Sequence, residues 1–143
     1  MSARETAERL SIVPLFKGCS ARQLRHIAAR GREITFPAGK TIIEQGKLGD
    51  DFFVILEGTA RVVRNGRKVN ALGPGGSFGE IALLLSLLER TPRTATVLAE
   101  TDVRCFVLSK SEFRSVIYEQ NIASNLLHTM ARRLDAASTR SEP

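Results

Sequence analysis

The sequence predicts a mainly β fold, an antiparallel jelly roll or small barrel with helices at both ends, and three observations lead to it. Short apolar segments with period-two alternation recur between Gly- and Pro-containing turns from residue 31 to residue 108. Apolar stripes of helical spacing lie before and after that region, and one helical stripe interrupts it. The 143 residues are 43% hydrophobic and 25% charged, which matches one globular domain and excludes a disordered polymer, a collagenous chain or a disulfide miniprotein. The whole chain, 1–143, reads as a single domain: N-terminal helices over about 3–30, the β region over about 31–108 and C-terminal helices over about 109–139.

The elements follow in order. Ser20 and Gln23 have the form of a capping box, and Leu24, Ile27 and Ala28 supply the apolar stripe of a short helix that stops at Gly31. Ile34 and Phe36 alternate as a strand, Pro37-Ala38-Gly39-Lys40 reads as a turn, and Thr41 to Ile43 as a second strand before Gln45-Gly46. Phe52 to Leu56 is apolar throughout, as a buried strand would be. Glu57-Gly58 turns the chain into Thr59 to Arg64, and Asn65-Gly66 marks a hairpin whose return is Arg67 to Leu72, so that the three strands read as a β-meander. After Gly73-Pro74-Gly75-Gly76, residues Ile81, Leu84, Leu85 and Leu88 fall at i, i+3, i+4, i+7, the stripe of an internal helix ending at Thr91-Pro92. Strands resume at Thr94 to Leu98 and Val103 to Leu108. A helix capped by Ser109 or Ser111 follows, and then a last one from about 121 to 137, striped by Ile122, Leu126, Met130 and Leu134.

Composition narrows function by exclusion. The net charge of +6 invites an anionic partner, but the basic residues are scattered, and one Tyr with no Trp leaves little surface for stacking bases. Nucleic-acid binding is therefore not expected. Cys19 and Cys105 have neither metal-ligand nor redox spacing, and the polar start MSARETAERL is unlike a signal peptide, so a cytoplasmic protein is expected. The longest apolar run, Ile81 to Leu85, is too short for a membrane span. His26 and His128 lack partners at ligand spacing, and no nucleophile stands with a base, so neither a metal site nor an enzyme is expected.

The internal helix is the informative feature. It follows Gly75-Gly76-Ser77-Phe78-Gly79, and a glycine-rich approach to a helix N-terminus makes an anion site to which a ligand can come close. Glu80 in its first turn can accept hydrogen bonds from ligand hydroxyls, and Arg93 beyond it carries the planar fork that matches phosphate oxygens. That set suits a phosphorylated sugar.

Phe78-Gly79-Glu80-Ile81-Ala82-Leu83-Leu84 followed by Pro92-Arg93-Thr94-Ala95-Thr96-Val97 closely resembles the phosphate-binding cassette of the cyclic nucleotide-binding domain family. Phe36-Pro37-Ala38-Gly39, Ile43-Glu44-Gln45-Gly46 and Phe53-Val54-Ile55-Leu56-Glu57-Gly58 look like the β-roll signatures that precede it, so the resemblance spans nearly the whole chain. It implies an antiparallel β-roll with an internal cassette helix and a C-terminal helix that closes over the base. By position, Glu80 would take the ribose 2′-hydroxyl and Arg93 the cyclic phosphate, and Gly79 would admit the sugar. The backbone amides of Ala82 and Ala95 would complete the cradle, Phe78 and Ile81 flank it, and Thr94 would bond phosphate or a guanine edge. Val62, Val69 and Leu72 correspond to apolar strand positions that meet the purine.

Glu80 and Arg93 stand 13 positions apart. That is about four more than the family's usual spacing, or about one helical turn and about 6 Å of rise, which reads as a longer cassette helix. The expected function is a cyclic nucleotide sensor, taking cyclic AMP or cyclic GMP and signalling through its C-terminal helix. Ala131-Arg132-Arg133-Leu134 favours cyclic AMP by its likeness to bacterial cyclic AMP receptor transcription factors, and Thr94 leans towards cyclic GMP. The chain stops where their DNA-reading domain would begin, so DNA recognition is not expected from it. A homodimer or an effector would meet the C-terminal helix or the longer cassette helix. The alternative is a degenerate β-roll used as a protein-interaction module.

Overall fold

A computed structural model describes residues 2–49, 51–79, 92–117, 122–125, 127, 128, 131 and 132. Helix α1 (Ala3–Leu10) starts at Ser2, whose hydroxyl accepts the Glu5 amide, and a 3-10 turn (Pro14–Phe16) leads to α2 (Ala21–Arg30). The Ser20–Gln23 capping box is present with both of its hydrogen bonds, and α2 ends at Gly31. Leu24, Ile27 and Ala28 form its buried stripe as expected.

Among the described residues eight strands follow: β1 (Arg32–Phe36), β2 (Thr41–Ile43), β3 (Phe52–Glu57), β4 (Ala60–Arg64), β5 (Arg67–Leu72), β6 (Ser77–Phe78), β7 (Thr96–Ala99) and β8 (Val103–Leu108). They form two antiparallel sheets of order β1-β8-β3-β6 and β2-β7-β4-β5, the jelly-roll-like β-roll predicted from the sequence. Helix α3 (Lys110–Ile117) comes next, and the described residues among 122–132 are helical. Ser109, not Ser111, caps α3: its hydroxyl accepts the Glu112 amide at 3.3 Å, and its own amide donates to the Glu112 carboxylate at 2.7 Å.

β3 and β8 are buried on both faces. Phe52, Val54 and Leu56 of β3, with Phe106 and Leu108 of β8, pack against the N-terminal helices, Phe113 and Ile122. Phe53 and Ile55, with Val103, Cys105 and Val107, point the other way and meet Ala60, Phe78, Val97 and Ala99 between the sheets. A strand buried on both faces reads as a continuous apolar run, which is how Phe52 to Leu56 reads.

Three expectations need correction. The β-meander is not formed: β3 pairs with β8 and β6, and only β4 and β5 make a hairpin. Gly58 at φ +93° carries the chain from one sheet to the other, where a Cβ would collide with the Asp102 carbonyl. Ser77–Phe78, expected within the approach to the helix, pairs with β3 as a two-residue strand, because Phe78 gains a stacked contact with Phe53 at 4.9 Å. β7 begins at Thr96 and not at Thr94, since the chain before it is held by the loop that follows β2. Asn65-Gly66 forms the expected hairpin turn, with both residues at positive φ (+52° and +79°).

Candidate functional site

The loop after β2 builds the site. Gly46 donates its amide to the Arg93 carbonyl at 2.9 Å, and the Arg93 amide donates to the Lys47 carbonyl at 2.8 Å, so the backbone of Arg93 is gripped from both sides. Its side chain runs inward and is only 6% exposed. Nη2 donates to the Asp51 carbonyl at 2.9 Å, at the start of β3.

Two glycines leave room for the guanidinium. A Cβ on Gly49 would stand 2.9 Å from Nε, and one on Gly79 would stand 3.2 Å from Nη1. Gly79 is also at φ +95°, a region that costs other residues strain. It reaches this place because β6 pairs with β3 through Phe53↔Phe78 and Val54↔Ser77, which sets the next residue beside Asp51 and Phe52. A cation fixed in this way needs little reorganisation to meet an anion.

The other sequence-predicted residues fall into three groups. Phe78 and Ala95 are buried, Gly79 is half-buried, and Thr94 is exposed beside Arg93. Val62 and Leu72 are half-buried and pack on the core between the sheets, so they are partly structural. Val69 is 39% exposed and sits at a β-bulge, since Val62 pairs with Asn70 and Val63 with Lys68. The bulge lifts it out of the ladder, as bulges near binding sites do. Glu80, Ile81, Ala82 and the other residues expected to form the cassette helix lie outside the described residues, as do Leu126, Met130 and Leu134 of the last expected stripe.

Gly49, Asp51 and Lys47 were not singled out from the sequence. Gly49 acts by lacking a Cβ, and Asp51 and Lys47 by backbone oxygens, none of which leaves a side-chain signature. The β-roll signature containing Gln45-Gly46 was the one available hint.

Beyond the site, Cys105 lies in the core and its thiol is pushed up to about 12 by burial. His26 and His128 are exposed, and Lys17, His128 and Arg132 line a cavity of about 630 Å³ between the 3-10 turn and the C-terminal helical residues. Among the described residues no group of His, Cys, Asp and Glu is placed to hold a metal ion, and no helix is long and apolar enough to cross a membrane.

The chain resembles known proteins in sequence and in fold. The chain is 35% identical over 114 residues to a cAMP-dependent protein kinase regulatory subunit of Candida albicans, in a match covering 80% of this chain and 24% of that protein. The chain thus spans only a fraction of the curated relative it matches. Among solved structures, the catabolite activator protein of Thermus thermophilus superposes with a TM-score of 0.81 at 30% identity, over 89% of this chain and 61% of that one. The N-terminal domain of a transcriptional regulator from Streptomyces coelicolor gives 0.70 at 30% identity, over 94% of this chain and 98% of that one. Residues 33–120 match the sequence model of the family described as Cyclic nucleotide-binding domain, more than half of the chain. With the two-sheet roll, this places the chain in the cyclic nucleotide-binding domain family.

Proposed function

We propose that the domain is a regulatory module that binds cyclic AMP in preference to cyclic GMP, with no catalytic step of its own. The observation that carries this reading is Arg93: a buried cation, clamped by its backbone and lying between Gly49 and Gly79 where the cassette begins. Its planar fork suits the singly charged cyclic phosphate. Glu80 accepts the ribose 2′-hydroxyl, the amides of Ala82 and Ala95 complete the cradle with Phe78, Ile81 and Thr94 around it, and Val62, Val69 and Leu72 face the purine. The Candida relative, a cAMP-dependent kinase subunit, supports cyclic AMP as the ligand.

The C-terminal helix transmits binding, to a twin subunit or an effector in the cytoplasm. Ile122 is fully buried, and the Asn125 side-chain amide donates to the carbonyls of Leu15 at 2.9 Å and Lys17 at 2.8 Å, while Leu127, His128 and Arg132 beyond it are exposed. A helix anchored at Ile122 and Asn125 can be biased by a ligand that prefers one of its positions.

Calorimetry and thermal melts with cyclic AMP, cyclic GMP and 5′-AMP test the reading. At about 100 times its dissociation constant the preferred ligand stabilises by about 2.7 kcal/mol, and 5′-AMP does much less. Glu80→Ala weakens cyclic AMP more than its 2′-deoxy analogue. Neither heat nor stabilisation with either cyclic nucleotide overturns the reading, and a cyclic GMP preference above about tenfold, about 1.4 kcal/mol, reverses the choice of base.

A further inference from the structure

We propose that Gln45 is a positioning residue that holds the β4–β5 hairpin, which carries Val62 and Val69, at a fixed separation from Arg93; this rests on the nucleotide-binding reading above. Three groups of this one residue are engaged. Its backbone amide donates to Thr96 Oγ1 at 2.9 Å, at the first residue of β7. Its carboxamide reaches the hairpin tip, with Nε2 donating to Asn65 Oδ1 at 2.8 Å and Oε1 accepting the Asn65 backbone amide at 2.9 Å. A backbone N–H can only donate, so the atom facing it must be Oε1, and that leaves Nε2 for Asn65 Oδ1. The very next residues, Gly46 and Lys47, hold the backbone of Arg93.

Three consecutive residues therefore tie together the hairpin tip, the start of β7 and the arginine. The tip needs such a tie. The pairing of β4 with β7 ends at Val63↔Thr96, so Arg64, Asn65 and Gly66 project beyond it, and the bulge at Val69 offers a pivot. The clamp stops that pivot, so the wall that meets the base and the cation that meets the phosphate keep one spacing. Binding a ligand rigid at both ends rewards such preorganisation.

The test is a charge cycle on the pair. Gln45→Glu alone keeps the clamp, because the Asn65 carboxamide can turn to donate to the carboxylate. Asn65→Asp alone keeps it, because Nε2 still donates. The double variant Gln45→Glu/Asn65→Asp sets two carboxylates against each other and breaks it. Each single variant is expected to bind cyclic AMP within about twofold of wild type, and the double variant about tenfold more weakly, a loss of about 1.4 kcal/mol that exceeds the roughly fourfold two independent effects would give. Ribose 3′,5′-cyclic phosphate, which lacks the base, should lose no more than about twofold, since the backbone grip on Arg93 remains. Asn65→Gly, which suits the left-handed turn and removes Oδ1, should weaken cyclic AMP in the same selective way. Losses that multiply from the single variants, or that are equal for the two probes, overturn the proposal.

A wild-type chain that takes neither probe refutes the nucleotide-binding reading instead. Amide exchange in the ligand-free protein then decides the clamp: the backbone amide of residue 65 should exchange faster in the double variant alone, while the Gly46 amide, held by the Arg93 carbonyl, stays protected, and unchanged exchange at residue 65 overturns it.

Discussion

Replacing Gly79 by alanine changes two things, and the structure supplies a control that separates them. Gly79 has φ +95°, where an L side chain is strained by about 1–2 kcal/mol. Its Cβ would also collide with the Asp51 carbonyl and press to 3.2 Å on Arg93 Nη1. Gly39, at φ +88°, carries the same conformational penalty, but its Cβ would meet nothing within 4 Å. Gly39→Ala should therefore destabilise by the strain alone, about 1–2 kcal/mol, and Gly79→Ala by about 1–3 kcal/mol more for the crowding of a packed site. At about 4 °C per kcal/mol for a domain of this size, the two variants should melt about 4–12 °C apart. Urea and thermal unfolding followed by far-ultraviolet circular dichroism suit a chain that has no Trp. Gly79→Ala should also weaken cyclic AMP, because relief of the collision moves either Asp51 or the arginine it anchors, whereas Gly39→Ala should leave affinity unchanged. If the two variants share one stability and one affinity, the reading that Gly79 leaves room for the Arg93 guanidinium is wrong.

Other outcomes follow from the same geometry. Arg93→Lys keeps the charge but loses the planar fork, and calorimetry should show cyclic AMP affinity down by about tenfold or more, a loss of about 1.5–3 kcal/mol. Burial works against ionisation of Glu112, but the Ser109 amide and hydroxyl and the neighbouring Arg32 outweigh it, so its carboxyl titrates below the usual range. A folded-state value below the unfolded one means that its contribution is present at neutral pH and is lost as pH falls through the folded value. Glu112→Gln, which still accepts the Ser109 amide, should flatten the acid limb of a stability–pH profile, and an unchanged limb would refute the role. Cys105, its thiol pushed up to about 12 by burial, should resist a maleimide at pH 8 while half-buried Cys19 reacts, with both labelled in denaturant. Because the folded-state value lies above the unfolded one, Cys105 should also lower stability as pH rises past the unfolded thiol's value, and Cys105→Ala should remove that part of the alkaline loss.

The parts of the fold that were legible in the sequence are those with local causes. Ser20 with Gln23, and Asn65 with Gly66, each fix a few dihedral angles with atoms a few residues apart, and both motifs appear as read. The partner of β3 was hidden because β8 lies about fifty positions away, and a strand buried on both faces carries no alternation to say which neighbour it wants. β6 is two residues long and exists because Phe78 stacks on Phe53, a contact that no window of sequence contains. In the site, Arg93 was legible because its chemistry is its side chain. Gly49, Asp51 and Lys47 were not, because each contributes an absent methyl or a carbonyl oxygen that any residue type would own.

The sharing of β3 and β8 between two apolar interiors has a consequence for how the molecule comes apart. These strands are a party wall: alternate residues of one strand, such as Phe52 and Phe53, line different rooms. Removing the first 31 residues would not leave a free-standing roll. It would strip one side of the wall and bare Phe52, Val54, Leu56, Phe106 and Leu108 as a flat greasy sheet face, the kind of surface that drives self-association. The N-terminal helices thus act as the solubilising jacket of the roll, and a fragment trimmed to the family-matched span alone should precipitate where the full chain stays in solution.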